Sequence, residues 1–209
     1  MVRIFLVRHG ETEGIRARRM ESRLDSPLTP LGIQQAQAVA SKLNEEQLHS
    51  IYTSPSLRAV KTAEIIKGDK ELSLMKDKSL YEMNIESWDG KKSEDIRKDD
   101  QERFKDFFNN PELFRPHSNR GESFEDVQNR ALSFLDRIIK DHENQNVLVV
   151  SHTVVLTSIM CHFKRKSIKN FWDPPIIQNG SLSLVHIQHD EVLIELDADV
   201  SHLQSMTII

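Results

Sequence analysis

Cysteine is almost absent from this 209-residue chain: Cys161 stands alone, so neither an intrachain disulfide nor a cysteine-based metal cluster can form. A reducing compartment and non-redox chemistry are expected. Glycine and proline are scarce, seven of each, too few for a fibrous repeat or a low-complexity linker. Long apolar runs are missing too. The first, Ile4-Phe5-Leu6-Val7, stops at Arg8-His9, short even for a signal segment, so a cytoplasmic protein with no membrane partner is expected. Charge of one sign is also lacking. With 28 Lys+Arg against 32 Asp+Glu the formal net charge is −4, which leaves no broad basic field for nucleic acid. A small anion in a local pocket is not excluded.

What is there is a globular composition, 38% hydrophobic and 29% charged, of a length that fills one core. A single domain over 1–209 is expected. Val2 to Val7, apart from Arg3, and Val147 to Val150 are short, β-branched and apolar, the pattern of strands buried on both faces. Ser50 to Thr53 makes a third strand. Thr29-Pro30 has the form of an N-cap followed by a first-turn proline, ahead of an apolar stripe at Ala36, Val39, Ala40 and Leu43. Ser54-Pro55 repeats that signal before Ala59, Ala63, Ile65 and Ile66, with Arg58 in the first turn. Ser123 with Asp126 forms a capping box opening a helix whose stripe is Val127, Ala131, Phe134, Leu135 and Ile138. From Lys91 to Asp106 twelve of sixteen residues are charged, six of each sign, a solvated helical stretch edged by Ile96, Phe104, Phe107 and Phe108. Residues 182–187 and 192–197, where Val192, Ile194 and Leu196 alternate, close as a hairpin around His189-Asp190. Strands alternating with helices imply a three-layer α/β/α sandwich with a mostly parallel central sheet and an antiparallel edge strand. Reactive groups in such folds collect beyond the carboxyl ends of the strands.

The two most hydrophobic strands end alike, one in Arg8-His9-Gly10 and the other in Ser151-His152-Thr153. As parallel neighbours they would bring both imidazoles to one edge. Gly10 would let backbone approach a ligand, Thr12 offers a hydroxyl, and amides opening the next segment can point at an anion. Arg8-His9-Gly10-Glu11-Thr12 resembles the signature of the histidine phosphatase (phosphoglycerate mutase-like) superfamily. Further blocks follow in order. Asp25-Ser26-Pro27-Leu28-Thr29-Pro30-Leu31-Gly32 with Gln34-Gln35-Ala36 is similar to the family's first loop and helix, and Thr53-Ser54-Pro55-Ser56-Leu57-Arg58-Ala59 to its second block. Leu80-Tyr81-Glu82 with Trp88-Asp89-Gly90 resembles the acid-bearing segment, and Gly121-Glu122-Ser123-Phe124 and Ser151-His152 complete the set.

The resemblance implies a phosphoric monoester hydrolase of the histidine acid phosphatase type, with no cofactor and no metal, acting on a small phosphorylated metabolite. In that role His9 is the nucleophile, Arg8, Arg58 and His152 hold the phosphoryl group, and Glu82, in a pocket lined by Trp88, protonates the leaving oxygen. Gly10, Thr12, Ser22 and Thr153 join Arg8, Arg58 and His152 as substrate-binding positions, and residues 83–120 form a helical excursion over the site. A homodimer stays open. Several positions depart from the family. Gly14-Ile15 stands where Trp-Asn is usual, with the Asn touching phosphate. Glu21-Ser22 stands for Gln-Gly, and a carboxylate there would repel a second anionic group. Glu86 and Thr153 each replace a common glycine.

Three alternatives follow: a bisphosphoglycerate-dependent phosphoglycerate mutase, a weakly active phosphate-binding module, and a metallophosphatase using His9, His152 and Glu82. The short, charge-neutral 91–120 stretch favours hydrolysis over the mutase. His186 and His189 lack a metal-ligand pattern and fit a surface hairpin; Trp172 fits a packing anchor.

Overall fold

The computed structural model describes residues 1–189 and 191–204. In chain order it runs β1 (Val2–Arg8), α1 (Glu13–Arg16), α2 (Pro30–Lys42), β2 (Ser50–Thr53), α3 (Leu57–Lys67) and β3 (Leu74–Lys76), then α4 (Ser93–Asp99), α5 (Gln101–Asn109) and α6 (Phe124–Asp141). The chain continues with β4 (Asn146–Ser151), α7 (Thr153–Phe163), β5 (Leu182–Gln188) and β6 (Glu191–Asp199). The sheet order is β3-β2-β4-β1-β5-β6. β1 to β4 are mutually parallel, and the β5–β6 hairpin supplies the antiparallel pairing at one end.

Side chains alternate across the sheet and bury both faces. Ile4, Leu6, Val147 and Val149 pack with Phe134 of α6 and Ile159 of α7, whereas Phe5, Val7, Leu148 and Val150 pack with Val39 of α2 and Ala63 of α3. This is the three-layer arrangement that near-continuous apolar strands require. The capping signals hold at α2, where Thr29 Oγ1 accepts from Gly32 N at 2.9 Å, and at α6, where Ser123 and Asp126 form the reciprocal box.

Two local expectations change. The helix after Ser54-Pro55 starts at Leu57 with Ser56 in the N-cap place. Ser54 is committed elsewhere: its Oγ meets His152 Nε2 at 2.8 Å and accepts from Ser56 N at 3.3 Å. In β6 the expected single-faced alternation is split. A register shift lets Leu196 pair with Leu184 on one face and Ile194 with Val185 on the other, as a β-bulge does, and Val192 is exposed. The turn of that hairpin includes His189 at φ 54°; Asp190 lies outside the described residues.

Gly10 has a packing use that the sequence reading did not include. A Cβ there would strike the backbone of Gly32 in α2, and a Cβ at Gly32 would strike the backbone of Glu11. Two chain segments approach at this pair, and the loop after β1 is thereby seated on the helix. Gly10→Ala is expected to destabilise by about 1–3 kcal/mol because neither backbone can yield, a fall of roughly 2–4 °C in Tm per kcal/mol for a chain of this size. Thermal denaturation checks it, and an unchanged Tm would mean the contact is slack.

Candidate active site

β1 and β4 are adjacent and in register, Arg8 opposite Ser151, and His9 N donates to Ser151 O at 3.1 Å. His9 and His152, each one residue past its strand, therefore stand side by side. Their ring centroids are 5.0 Å apart at 63°. Both are buried. His9 Nδ1 lies 2.8 Å from Gly10 O. A carbonyl only accepts, so Nδ1 carries the proton and Nε2 keeps its lone pair. Arg58 Nε donates to that same Nε2 at 3.4 Å, in agreement with this tautomer. Burial, then the charges of Arg58 and Arg8, push both imidazoles well below the ordinary histidine range. Both rings are neutral near pH 7.

Arg58 is only 1% exposed, yet each guanidinium nitrogen is placed. Nη1 donates to Asp25 Oδ1 at 2.6 Å and Leu24 O at 3.0 Å, and Nη2 donates to Ser22 O at 2.9 Å. Arg8 Nη1 donates to Ile177 O at 2.9 Å. Burial lowers the Arg8 pKa to about 10, which leaves it charged at neutral pH. Among the described residues, Arg8 Nε and His152 Nδ1 are buried nitrogens without a protein partner. Buried polar atoms are rarely left alone, and these two belong to adjacent groups at one strand edge.

Glu82 faces the same place from the segment after β3. Ser151 Oγ donates to Leu80 O at 2.8 Å, and Arg130 of α6 donates to Ser79 O at 2.7 Å and Glu82 O at 3.3 Å, fastening that segment to β4 and α6. The Glu82 carboxyl accepts from Met83 N at 2.8 Å and Val154 N at 3.3 Å. Burial raises its pKa, outweighing those two amides and the charges of Arg58 and Arg8.

A cavity of about 450 Å³ opens beside His9, Arg8, Glu82 and Thr153. Ile15, Met83, Ile85, Phe107, Phe108, Trp172 and Ile176 give it an apolar wall, with Glu21 and Arg19 as its further charged residues. Ile15 contributes hydrocarbon where the resemblance would place an amide. Trp88 is absent from this lining, contrary to expectation. It is 2% exposed inside a cluster with Phe104, Phe107 and Phe114, and its Nε1 donates to Asp100 Oδ2 at 3.0 Å. Trp172 both anchors and lines: its Nε1 donates to Phe107 O at 2.6 Å.

The other expected binding positions act on the frame. Gly10 N donates to Thr62 Oγ1 at 3.1 Å. Thr12 caps α1 by accepting Ile15 N at 3.2 Å and donates its proton to Glu21. Ser22 is fully buried, its N bound to Asp89 Oδ1 at 2.7 Å and its Oγ to Met83 O at 2.6 Å. Glu86, at φ 53°, accepts from His117 N and Ser118 N, far in role from the pocket. His186 pairs with Glu195 across the hairpin at 2.6 Å, and no trio of His, Cys, Asp or Glu is gathered among the described residues.

Sequence reasoning missed three supports. Asp89 accepts the amides of Ser22, Arg23 and Leu24, fixing the loop whose carbonyls hold Arg58. Ser54 orients His152, and Asn179 Nδ2 donates to His9 O at 3.0 Å. Asp89 and Ser54 lay inside quoted motifs; Asn179 carried no signal.

A neutral imidazole nitrogen beside buried guanidinium groups at the strand ends of an α/β/α sandwich suits the handling of oxyanions. The chain belongs to the histidine phosphatase superfamily (branch 1), whose model it matches over residues 4–199. It is 34% identical over 188 residues to phosphoserine phosphatase 1 of Hydrogenobacter thermophilus, covering 90% of this chain and 88% of that one. To the metal-independent phosphoserine phosphatase of Arabidopsis thaliana it is 32% identical over 206 residues, covering 97% and 84%. The solved structure of Bacillus stearothermophilus YhfR matches with a TM-score of 0.94 at 37% identity, covering 98% and 100% of the two chains. No helix among the described residues is long and apolar enough to cross a membrane.

Proposed function

We propose that this chain is a metal-independent phosphoric monoester hydrolase of the histidine acid phosphatase type, working as one domain over 1–209 on a small phosphorylated metabolite in the cytoplasm. The observation that carries the reading is the pair of unpartnered buried nitrogens, Arg8 Nε and His152 Nδ1, together with the unprotonated Nε2 of His9, which accepts only a long contact from Arg58 Nε at 3.4 Å.

His9 Nε2 attacks phosphorus, the bond to the ester oxygen breaks, and the Glu82 proton passes to that oxygen, so a neutral alcohol leaves. Water then attacks the phosphohistidine, gives its proton back to Glu82, and releases phosphate. Arg8 and Arg58 balance the dianion through both steps. In this role His152 Nδ1 carries the proton and donates to a phosphoryl oxygen, while Ser54 donates to Nε2. Thr153 begins α7, whose N-terminal amides favour negative charge.

A cavity of about 450 Å³ accepts the alcohol of a small ester. Nucleic acid is disfavoured by the net charge of −4. The relatives make phosphoserine one of the first esters to try. The mutase reading is disfavoured because a second phosphate would meet Glu21 and an apolar wall. Turnover of p-nitrophenyl phosphate by purified protein tests the reading. It is expected to survive EDTA and to be blocked by vanadate, which takes the geometry of the transferring phosphoryl group. Loss in EDTA with recovery on divalent metal would establish a metallophosphatase instead, and vanadate binding with no turnover on any ester would establish a binding module.

A further inference from the structure

Two departures from the family pattern, Gly14 for a bulky residue and Glu21 for an amide, are one feature in space. A Cβ at Gly14 would collide with the Glu21 carboxylate, so the missing side chain is the niche that Glu21 occupies. The carboxylate is fixed there by two hydroxyls, Thr12 and Ser26. Each hydroxyl already accepts a backbone amide, Thr12 from Ile15 N at 3.2 Å and Ser26 from Gly14 N at 2.9 Å. Each therefore has its single proton free for Glu21, which acts purely as an acceptor, as an ionised carboxylate does. Glu21 also lines the cavity that holds His9 and Glu82, and its charge acts on Arg8.

We propose that Glu21 is a specificity-determining residue that selects phosphate monoesters of amino alcohols, whose ammonium group it receives, over esters of hydroxy acids. The proposal rests on the hydrolase reading above and concerns the leaving alcohol alone. Arg58 is already paired with Asp25 at 2.6 Å, so a bound phosphate dianion more than offsets the charge of Arg8, and Glu21 adds to the surplus negative charge of the occupied pocket. A second anion on the alcohol meets repulsion in a site partly removed from water, and an ammonium meets attraction. Arg19 lines the same cavity but does not cancel this. It is exposed and donates to Gly90 O at 2.7 Å from the rim, where solvent screens a flexible side chain.

The test compares two esters of similar size and opposite charge, O-phosphoethanolamine and 2-phosphoglycolate, each as kcat/KM relative to p-nitrophenyl phosphate. The wild-type protein is expected to favour the ammonium ester by about tenfold or more, one fixed charge contact. In Glu21→Gln, which keeps shape and an acceptor, that ratio is expected to fall by about tenfold, the anionic ester gaining as the cationic one loses. A wild-type preference for 2-phosphoglycolate, or a ratio untouched in Glu21→Gln, overturns the proposal. Should the Gln variant fail to fold, the wild-type ratio decides, with its collapse toward unity at high salt as the expected accompaniment. Absence of turnover on p-nitrophenyl phosphate would sink the hydrolase reading instead. In that case dissociation constants of the two esters from the wild-type protein, measured by calorimetry, decide the selectivity on their own.

Discussion

Replacing His9 with alanine is expected to lower p-nitrophenyl phosphate turnover by at least ~10⁴-fold, the scale on which an enzyme loses a covalent nucleophile. The expectation follows from the tautomer. Gly10 O takes the Nδ1 proton, which leaves Nε2 as the one nitrogen with a lone pair, and its attack displaces only the 3.4 Å hydrogen bond from Arg58 Nε. Arg8, Arg58 and His152 would remain and still bind phosphate, so the loss should fall in kcat more than in KM. His152→Ala, which removes one donor to the phosphoryl group, is expected to cost less, about 10²–10³-fold. Rapid quenching with a labelled ester supplies the direct readout. Wild-type protein should carry a phosphate that is labile in acid and stable in base, as a phosphorus–nitrogen bond is, and His9→Ala should carry none. Retention of more than roughly a tenth of the wild-type rate in His9→Ala would end the nucleophile assignment.

Much of this site was legible because it is written in local pattern. Two strongly apolar strands that run into Arg8-His9 and Ser151-His152 predict adjacency, and β1 pairs with β4 in the register that makes it so. The capping box at Ser123 and the proline after Thr29 fix helix starts by short-range hydrogen bonds, and these survived. The illegible parts are those set by partners distant in sequence. Ser54 has a cap's composition but bonds His152, ninety-eight positions away, and the helix start shifts accordingly. Asp89 resembles any acidic loop residue until Ser22, Arg23 and Leu24 present their amides. Trp88 could equally have lined a pocket or filled the aromatic cluster, and Phe104, Phe107 and Phe114 decide for the cluster. α7 left no periodic signal because it is apolar nearly all round, with Val154, Val155, Leu156, Ile159, Met160 and Cys161 all buried. β3 is three residues long, shorter than any pattern can mark.

Glu82→Gln is expected to divide substrates by their leaving groups. An alkyl ester such as O-phosphoethanolamine must receive a proton as it departs, and its phosphoryl transfer to His9, read in a single turnover, should slow by about 10²–10⁴-fold. p-Nitrophenolate leaves without help, so its phosphoryl transfer to His9 should slow by less than about tenfold, while the later hydrolysis, in which Glu82 takes water's proton, slows alike for both esters. Equal losses on both would remove the acid role and leave Glu82 as a structural anchor of Met83 N and Val154 N. The pH profile carries the same distinction. Burial raises the Glu82 pKa above the ordinary carboxyl value, and the useful form is the protonated one. Turnover of alkyl esters should therefore decline as pH rises through that raised pKa, a limb that Glu82→Gln abolishes and p-nitrophenyl phosphate scarcely displays. His9 does not compete for this assignment. Its useful form is neutral and its pKa lies well below the usual histidine value, so its limb falls on the acid side and runs in the opposite direction. A bound phosphate dianion adds negative charge beside Glu82 and makes ionisation harder still. The alkaline limb of kcat, which reports the complex, should then lie at higher pH than that of kcat/KM, which reports the free enzyme. Coincident limbs would mean that phosphate and Glu82 do not share the pocket.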